Sequence, residues 1–440
     1  MSFRPTVYEL MSVATGTRRP DEGGWTLSFA DEAPSLIRAV YAEKRLSIRE
    51  DLDGLYKFAD WLPIRRTLKG SGSPVTYRSE GLADVLGLEN LWITFNGWWP
   101  EKGALMKSGT FKECEAFSVC GRMSDDFDRI LVVASAGNTA RAFARVCSDN
   151  KIPLLLFVPE DNLESLWFDE PIDTCVRLIA PEAGGDYFDA IRMSNAAVAG
   201  SGRFIAEGGA ANVARRDGMA TTVLSAVTTI GRIPDAYFQA VGSGTGAIAA
   251  WEAAMRFAED GRYGPNTMRL IVSQNTPFIP MVDSWKADSR DFLVVDDVTA
   301  RGHVNKVNAK VLTNRRPPWS VPGGLYDALK SSGGTVLGAT NEEASVAGAR
   351  FAQLEGNDIS PAAGVAVASL FKAVESGVVQ KNEIIMLNIT GGGMERFKRE
   401  HDTHILEASA VIPLDAEDEV IVAAAERLFD KGLTGAGSLH

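Results

Sequence analysis

A lysine, an asparagine, a cluster of glycines with small hydroxyls, and a late threonine are the groups in this chain whose types and spacing can do chemistry. The lysine is Lys112, in the run KSGTFKECE from Lys107 to Glu115. Ser108, Gly109 and Thr110 make a small-residue turn that delivers Phe111 and Lys112 to the start of a helix. An amine held there can bond a carbonyl carbon, or take a proton once it is neutral. Most lysines are ordinary solvated side chains, so the case for Lys112 rests on its companions.

Three loops supply them. SAGNTAR (Ser135–Arg141) offers Ser135, Gly137, Asn138 and Thr139 where a strand passes into a helix. A helix N-terminus attracts anions through its partial charge and unpaired N–H groups; simple capping by Asn138 or Thr139 is the plainer alternative. GSGTG (Gly242, Ser243, Gly244, Thr245, Gly246) directly follows an apolar strand, and its glycines let backbone approach an anion closely. It is an imperfect dinucleotide fingerprint, since Ala247 holds the sixth position and the next strand ends in Ser273, Gln274 and Asn275 without the acid that would hold a ribose. It lacks the Gly-Lys-Ser/Thr ending of a Walker loop, and a tight turn is its structural alternative. NITGGG (Asn388–Gly393) places Thr390 after the last core strand.

Taken together these groups meet the needs of one cofactor, pyridoxal 5'-phosphate. Its aldehyde needs an amine, which Lys112 supplies as covalent anchor. Its phosphate needs N–H donors, which the Gly242–Gly246 loop offers. Its ring oxygen needs a hydrogen bond, here from Asn138, and its ring nitrogen a partner, here Thr390. A neutral partner leaves the ring less electron-withdrawing than a carboxylate would, which suits β-elimination and replacement better than transamination.

Such loops must be held by strand ends. ILVVAS, PLLLFVP, CVRLIA, AYFQAV, LIVSQ and IIMLNI read as short buried strands. Helices are predicted over Asn138–Asp149, Tyr187–Ala199, Thr221–Ile230, Ile248–Phe257, Glu342–Leu354 and Ala362–Glu375. The alternation means βα units and parallel sheets, with ligands at the C-terminal strand ends. The chain of 440 residues is long for one core. The expected domains are an N-terminal extension over 1–75, a large α/β domain from 76–115 and 230–440, and a smaller one over 116–229.

Composition removes other classes. The net charge of -12 disfavours nucleic acid as a partner. No apolar run is long enough to span a bilayer, and MSFRPTVYELMSV lacks the core of a secretory signal. Cys114, Cys120, Cys147 and Cys175 form no CxxC pair, so no zinc ribbon, metal site or disulfide framework is expected, and a reducing cytoplasm fits. The histidines are His303, His401, His404 and His440; KREHDTH reads as solvated surface, and no GxSxG elbow is present for a serine triad.

On SGTFKE (Ser108–Glu113), SAGNTA (Ser135–Ala140), GSGTG and the glycine-rich end at Thr390, the sequence resembles the fold-type II pyridoxal phosphate enzymes (tryptophan synthase beta-like), and within them the threonine synthase group. Thr110 stands where that family's motif usually has serine. FNGWWPEKGA, NVARRDGMATTVL, QNTPFIPM and RPPWSVPGGLYDAL carry it further, to the cysteate synthase family of methanogenic archaea, over most of the chain beyond residue 70. The resemblance implies two parallel-type α/β domains with the cofactor between them. It also implies condensation of O-phospho-L-serine with sulfite to L-cysteate and phosphate, in coenzyme M biosynthesis. Lys112 becomes the anchor and α-proton base, and Asn138 and Thr390 contact the cofactor. For the substrate carboxylate the loop of Ser135 and Thr139 is nominated. For phosphate and sulfite the candidates are Lys107, Ser108, Thr110, Arg215, Arg216 and Arg316. Threonine synthase, using O-phosphohomoserine and water, is the nearest alternative. A nucleotide-binding α/β protein using GSGTG is the alternative of another class. Enzymes of this fold are often dimers or larger, so a homo-oligomer is expected.

Overall fold

A computed structural model describes residues 3–430. Its described residues divide into two compact units: one comprises residues 3–67, 71–124 and 209–400, the other 68–70, 125–208 and 401–430.

The first unit is built on a mixed sheet. In order across it run Thr335–Ala339, Arg269–Asn275, Ala236–Ala240, Ile384–Gly392, Asn90–Trp99 and Val75–Arg78. All neighbours are parallel except Val75–Arg78, which runs antiparallel to its partner, as does the short strand Ala104–Leu105. Apolar clusters cover both faces, as a parallel sheet requires. Helices Val213–Ile230 and Thr245–Asp260 contribute to one and helices Asn341–Glu355 and Pro361–Glu375 to the other. The N-terminal region is a three-stranded antiparallel sheet with Tyr8–Ser12 at its centre, and Leu10, Ile37 and Tyr41 join the first cluster. It is thus part of the first unit's core.

The second unit is a five-stranded parallel sheet ordered Phe204–Ala206, Ile130–Ala134, Leu154–Phe157, Val176–Pro181 and Ala410–Ile412. Its last strand arrives from the C-terminal end of the chain. Helix Asp418–Asp430 follows and buries Ile421 and Ala425 in this unit's core. The sequence-based boundaries therefore shift. Residues 401–430 belong with the smaller sheet because backbone pairing at Ile179–Ala410 claims them.

At its other border the first unit takes residues 116–124 and 209–229. Helix Val213–Ile230 starts well before the predicted Thr221, capped by Asn212, whose side chain accepts from Ala214 N. The early turns, which the predicted helix left out, contain two arginines, an aspartate and Gly218. Gly218 is where this helix meets the lysine-bearing helix Lys112–Arg122: a Cβ there would lie 2.4 Å from Cys114 O. Short helices Pro280–Lys286, Asp297–Lys306 and Leu325–Ser332 were not predicted. Among the described residues no helix is long and apolar enough to cross a membrane. No group of three or more His, Cys, Asp or Glu among them is placed to hold a metal ion. His440 lies outside the described residues.

Candidate active site

Lys112 is the first residue of its helix, as the small-residue turn predicted. The turn is fixed from two sides. Ser108 N donates to Glu113 Oε2 at 2.8 Å, and Gly109 takes φ 69°, a left-handed conformation that glycine adopts without strain. Thr110 bridges to Gly391, Phe111 N donates to Thr390 O at 3.0 Å, and Gly392 N donates to Gly109 O at 3.0 Å. The lysine turn and the strand end carrying Thr390 are thus sewn together by backbone.

The glycine loop joins them through Phe111. A Cβ on Gly246 would sit 3.0 Å from Phe111 Cε2 and 2.8 Å from the Gln239 amide. Gly244, at φ 80°, would meet Leu325 Cδ2 at 2.7 Å, and Gly242 would meet Val311 O at 2.6 Å. At these three positions a side chain would force a neighbour to shift. The turn opens onto the 16-residue helix Thr245–Asp260, whose N-terminus is the positive end of the helix dipole; within its first turn Thr245 N donates to Ser243 Oγ at 3.3 Å and Ala247 N to Gly244 O at 3.0 Å. Ser243 Oγ and Thr245 Oγ1 lie 2.7 Å apart beside them. This donor set fits a phosphate, and with the Lys112 amine and the nearly buried Thr390 it fits pyridoxal phosphate. The first unit therefore brings together Lys112, Gly242–Gly246 and Thr390.

Sequence reading missed the partners of Lys112. Its Nζ lies 3.1 Å from Glu115 Oε2 and 3.9 Å from Met219 Sδ, and 5.0 Å from the centre of the Phe111 ring. Glu115 is fully buried, and Arg215 Nη2 approaches its other oxygen at 2.7 Å. A lysine, a carboxylate and a guanidinium thus form a chain under one helix start. The i,i+3 spacing of Lys112 and Glu115 was a usable signal. The pairing with Arg215 needed the fold. Cys114, between them, is no rival nucleophile: burial pushes its thiol up to about 12.

The nominated anion ligands differ in setting. Ser108 and Thr110 are buried in the lysine turn, and Lys107 is half-buried beside them. Arg316 is exposed, its N–H donating to Asn314 Oδ1 at 2.8 Å. Arg216 is buried and occupied. Its Nε donates to Glu252 at 3.0 Å, and its other nitrogens to the carbonyls of Ala210 and Ile37.

The Asn138 loop belongs to the second unit and is internally braced. Ser135 Oγ accepts from Gly137 N at 3.0 Å and Ala140 N at 3.1 Å. Gly137, at φ 142°, precedes helix Asn138–Asn150, and Arg141 Nη2 donates to Asn138 Oδ1 at 3.1 Å. Asn138 is half-buried and Thr139 buried.

A largely parallel sheet with a lysine at a helix start and a glycine turn at a strand end is an arrangement able to hold a cofactor by an amine and a phosphate. The chain belongs to the pyridoxal-phosphate dependent enzyme family, whose model matches residues 99–391. Among curated relatives, the cysteate synthase of Methanocorpusculum labreanum is 46% identical, covering 84% of this chain and 90% of the relative. That of Methanosarcina acetivorans is 45% identical over 86% and 91%, and that of Methanocella paludicola 47% over 83% and 85%. Solved structures share the fold at low identity. The processed form of threonine deaminase isoform 2 from Solanum lycopersicum has a TM-score of 0.52 at 18% identity, covering 74% of this chain and 86% of that one. Maize serine racemase has 0.53 at 14%, covering 72% and 89%. The fold is that of the fold-type II pyridoxal phosphate enzymes.

Proposed function

We propose that the chain makes L-cysteate and phosphate from O-phospho-L-serine and sulfite, as a step towards coenzyme M. The observation that carries this reading is 46% identity to a cysteate synthase across 90% of that protein. The cytoplasm is the proposed compartment and a homo-oligomer the proposed state.

Pyridoxal phosphate, held by Lys112, would supply an electron sink for charge developing at the substrate α-carbon. Gly242–Gly246 and the first turn of helix Thr245–Asp260 would bind its phosphate, Thr390 its ring nitrogen and Asn138 its ring oxygen. The remaining work falls to the chain. The Lys112 amine takes the α-proton, for which it must be neutral; free lysine titrates near 10.4, so its surroundings must favour the neutral form. Glu115 alone would favour the ammonium. Arg215, paired to the same carboxylate at 2.7 Å, offsets that charge while Glu115 still orients the amine. The Cβ–O bond breaks and phosphate leaves with its electron pair. The sulfur lone pair of sulfite then forms the C–S bond, and Lys112 returns the proton. The sequence of bond changes consumes no oxidant or reductant.

The loop of Ser135 and Thr139 is proposed for the substrate carboxylate. Lys107, Ser108, Thr110, Arg215 and Arg316 are proposed for the two oxyanions; Arg216 is left out because its guanidinium is already occupied. The test is a paired assay of the cofactor-loaded enzyme. With O-phospho-L-serine and sulfite it should yield cysteate and phosphate in equal amounts. Threonine from O-phosphohomoserine, with no cysteate from phosphoserine, would refute the proposal.

A further inference from the structure

Four buried polar side chains lie beneath the strand ends of the site, and none of the steps above uses them. Asn96, Asn388, Tyr237 and Gln239 sit on three adjacent parallel strands, Asn90–Trp99, Ile384–Gly392 and Ala236–Ala240. The same strands otherwise bury apolar side chains such as Ile93, Phe95, Phe238 and Leu387. Polar groups in such a place cost stability unless they bond one another, and here they do. Asn96 Nδ2 donates to Ile389 O at 2.9 Å and to Asn388 Oδ1 at 2.8 Å. Asn388 Nδ2 donates to the Tyr237 hydroxyl at 2.8 Å, and that hydroxyl donates to Gln239 Oε1. Ile389 O can only accept, so it fixes which way the Asn96 amide points and with it the sense of the chain. At the far end the Gln239 amide packs against Gly246 of the glycine turn.

Ile389 is also where the sheet changes register. It pairs with Phe95, and the next pair is Gly392 with Gly97. Thr390 and Gly391 therefore stand opposite a single residue, Asn96. Such a bulge takes its extra residue out of the ladder and re-aims the strand. Thr390 O accepts from Phe111 N instead, and Gly391 pairs with Thr110. The bulge thus turns the end of this strand towards the lysine turn, and the Asn96 amide pins its base.

We propose that Asn96 is a positioning residue for the reaction: acting through the bulge, it sets where the Thr390 hydroxyl stands, while Asn388 and Tyr237 hold Asn96 in turn. This rests on the proposed role of Thr390 as partner of the ring nitrogen.

The test is a double-mutant cycle between Asn96→Ala and Thr390→Val in the cofactor-loaded enzyme. It is read in the visible absorbance of the bound cofactor, which needs no substrate, and in kcat and KM. Residues that act through one another do not add. Asn96→Ala alone should shift the absorbance maximum in the same direction as Thr390→Val. It should also lower kcat about tenfold with KM little changed, since a small misplacement of the reacting geometry is felt in rate. In the double variant it should add nothing to the effect of Thr390→Val. Tyr237→Phe deletes one buried hydroxyl and keeps the ring; it should reproduce the pattern with a smaller shift, and decides the matter where Asn96→Ala does not fold. A purely structural network would lower the urea midpoint and leave absorbance and turnover per folded molecule as in wild type. That result, or an Asn96→Ala effect of equal size with and without the Thr390 hydroxyl, would overturn the proposal while sparing the role of Thr390. Wild-type absorbance and turnover in Thr390→Val would overturn both.

Discussion

Arg215 and Arg216 are neighbours on one helix, and each reaches a buried carboxylate. Arg215 meets Glu115, which also holds the Lys112 amine. Arg216 meets Glu252 and two backbone carbonyls, so each of its three nitrogens is engaged in the fold. Successive residues on an α-helix point about 100° apart, so adjacent arginines serve different clusters. One cluster ends at the amine proposed to hold the cofactor, the other at structure. The lesson is that a guanidinium's role follows from what else its carboxylate touches. The residue type alone did not separate them: both were nominated as oxyanion ligands.

Four substitutions sharpen or break that contrast. Lys112→Ala removes the end point of the Arg215 chain. Turnover and the visible absorbance of bound cofactor should both vanish while far-ultraviolet circular dichroism stays native. Arg216→Met strips one partner from a buried pair and should lower folding stability by about 3–5 kcal/mol, read as a lower urea midpoint. Turnover per folded molecule should stay near wild type; a selective loss of turnover would erase the contrast. Glu115→Gln keeps shape but frees the amine from its orienting charge. It should lower kcat roughly a hundredfold, as misplaced catalytic groups do, with KM and cofactor content little changed. Gly244→Ala forces a side chain into φ 80° and against Leu325, a strain of about 1–2 kcal/mol. Cofactor should be retained about tenfold more weakly on dialysis, with the Arg215 and Arg216 clusters untouched.

Much of the site was readable because its chemistry is local. A turn needing small residues, a cradle needing glycine and a strand end needing a hydroxyl each leave a mark within a few letters. KSGTFKECE, GSGTG and NITGGG carried those marks, and the first unit joins them through Phe111 N to Thr390 O and through Gly246 against Phe111. What escaped reading was pairing across the chain. Glu115 with Arg215, and Arg38 with Glu252, are joined only by tertiary packing. Gly218 permits the close crossing over Cys114, a contact that only the packed helices reveal. Strand Ala410–Ile412 is too short to show a period, and only its register against Ile179–Pro181 reveals its sheet.

Borohydride reduction of the cofactor-loaded enzyme, followed by peptide mapping in a mass spectrometer, addresses the reactive amine without relying on activity. A phosphopyridoxyl group on Lys112 alone is the required result. The same group on a different lysine, with Lys112 unmodified, would contradict the account.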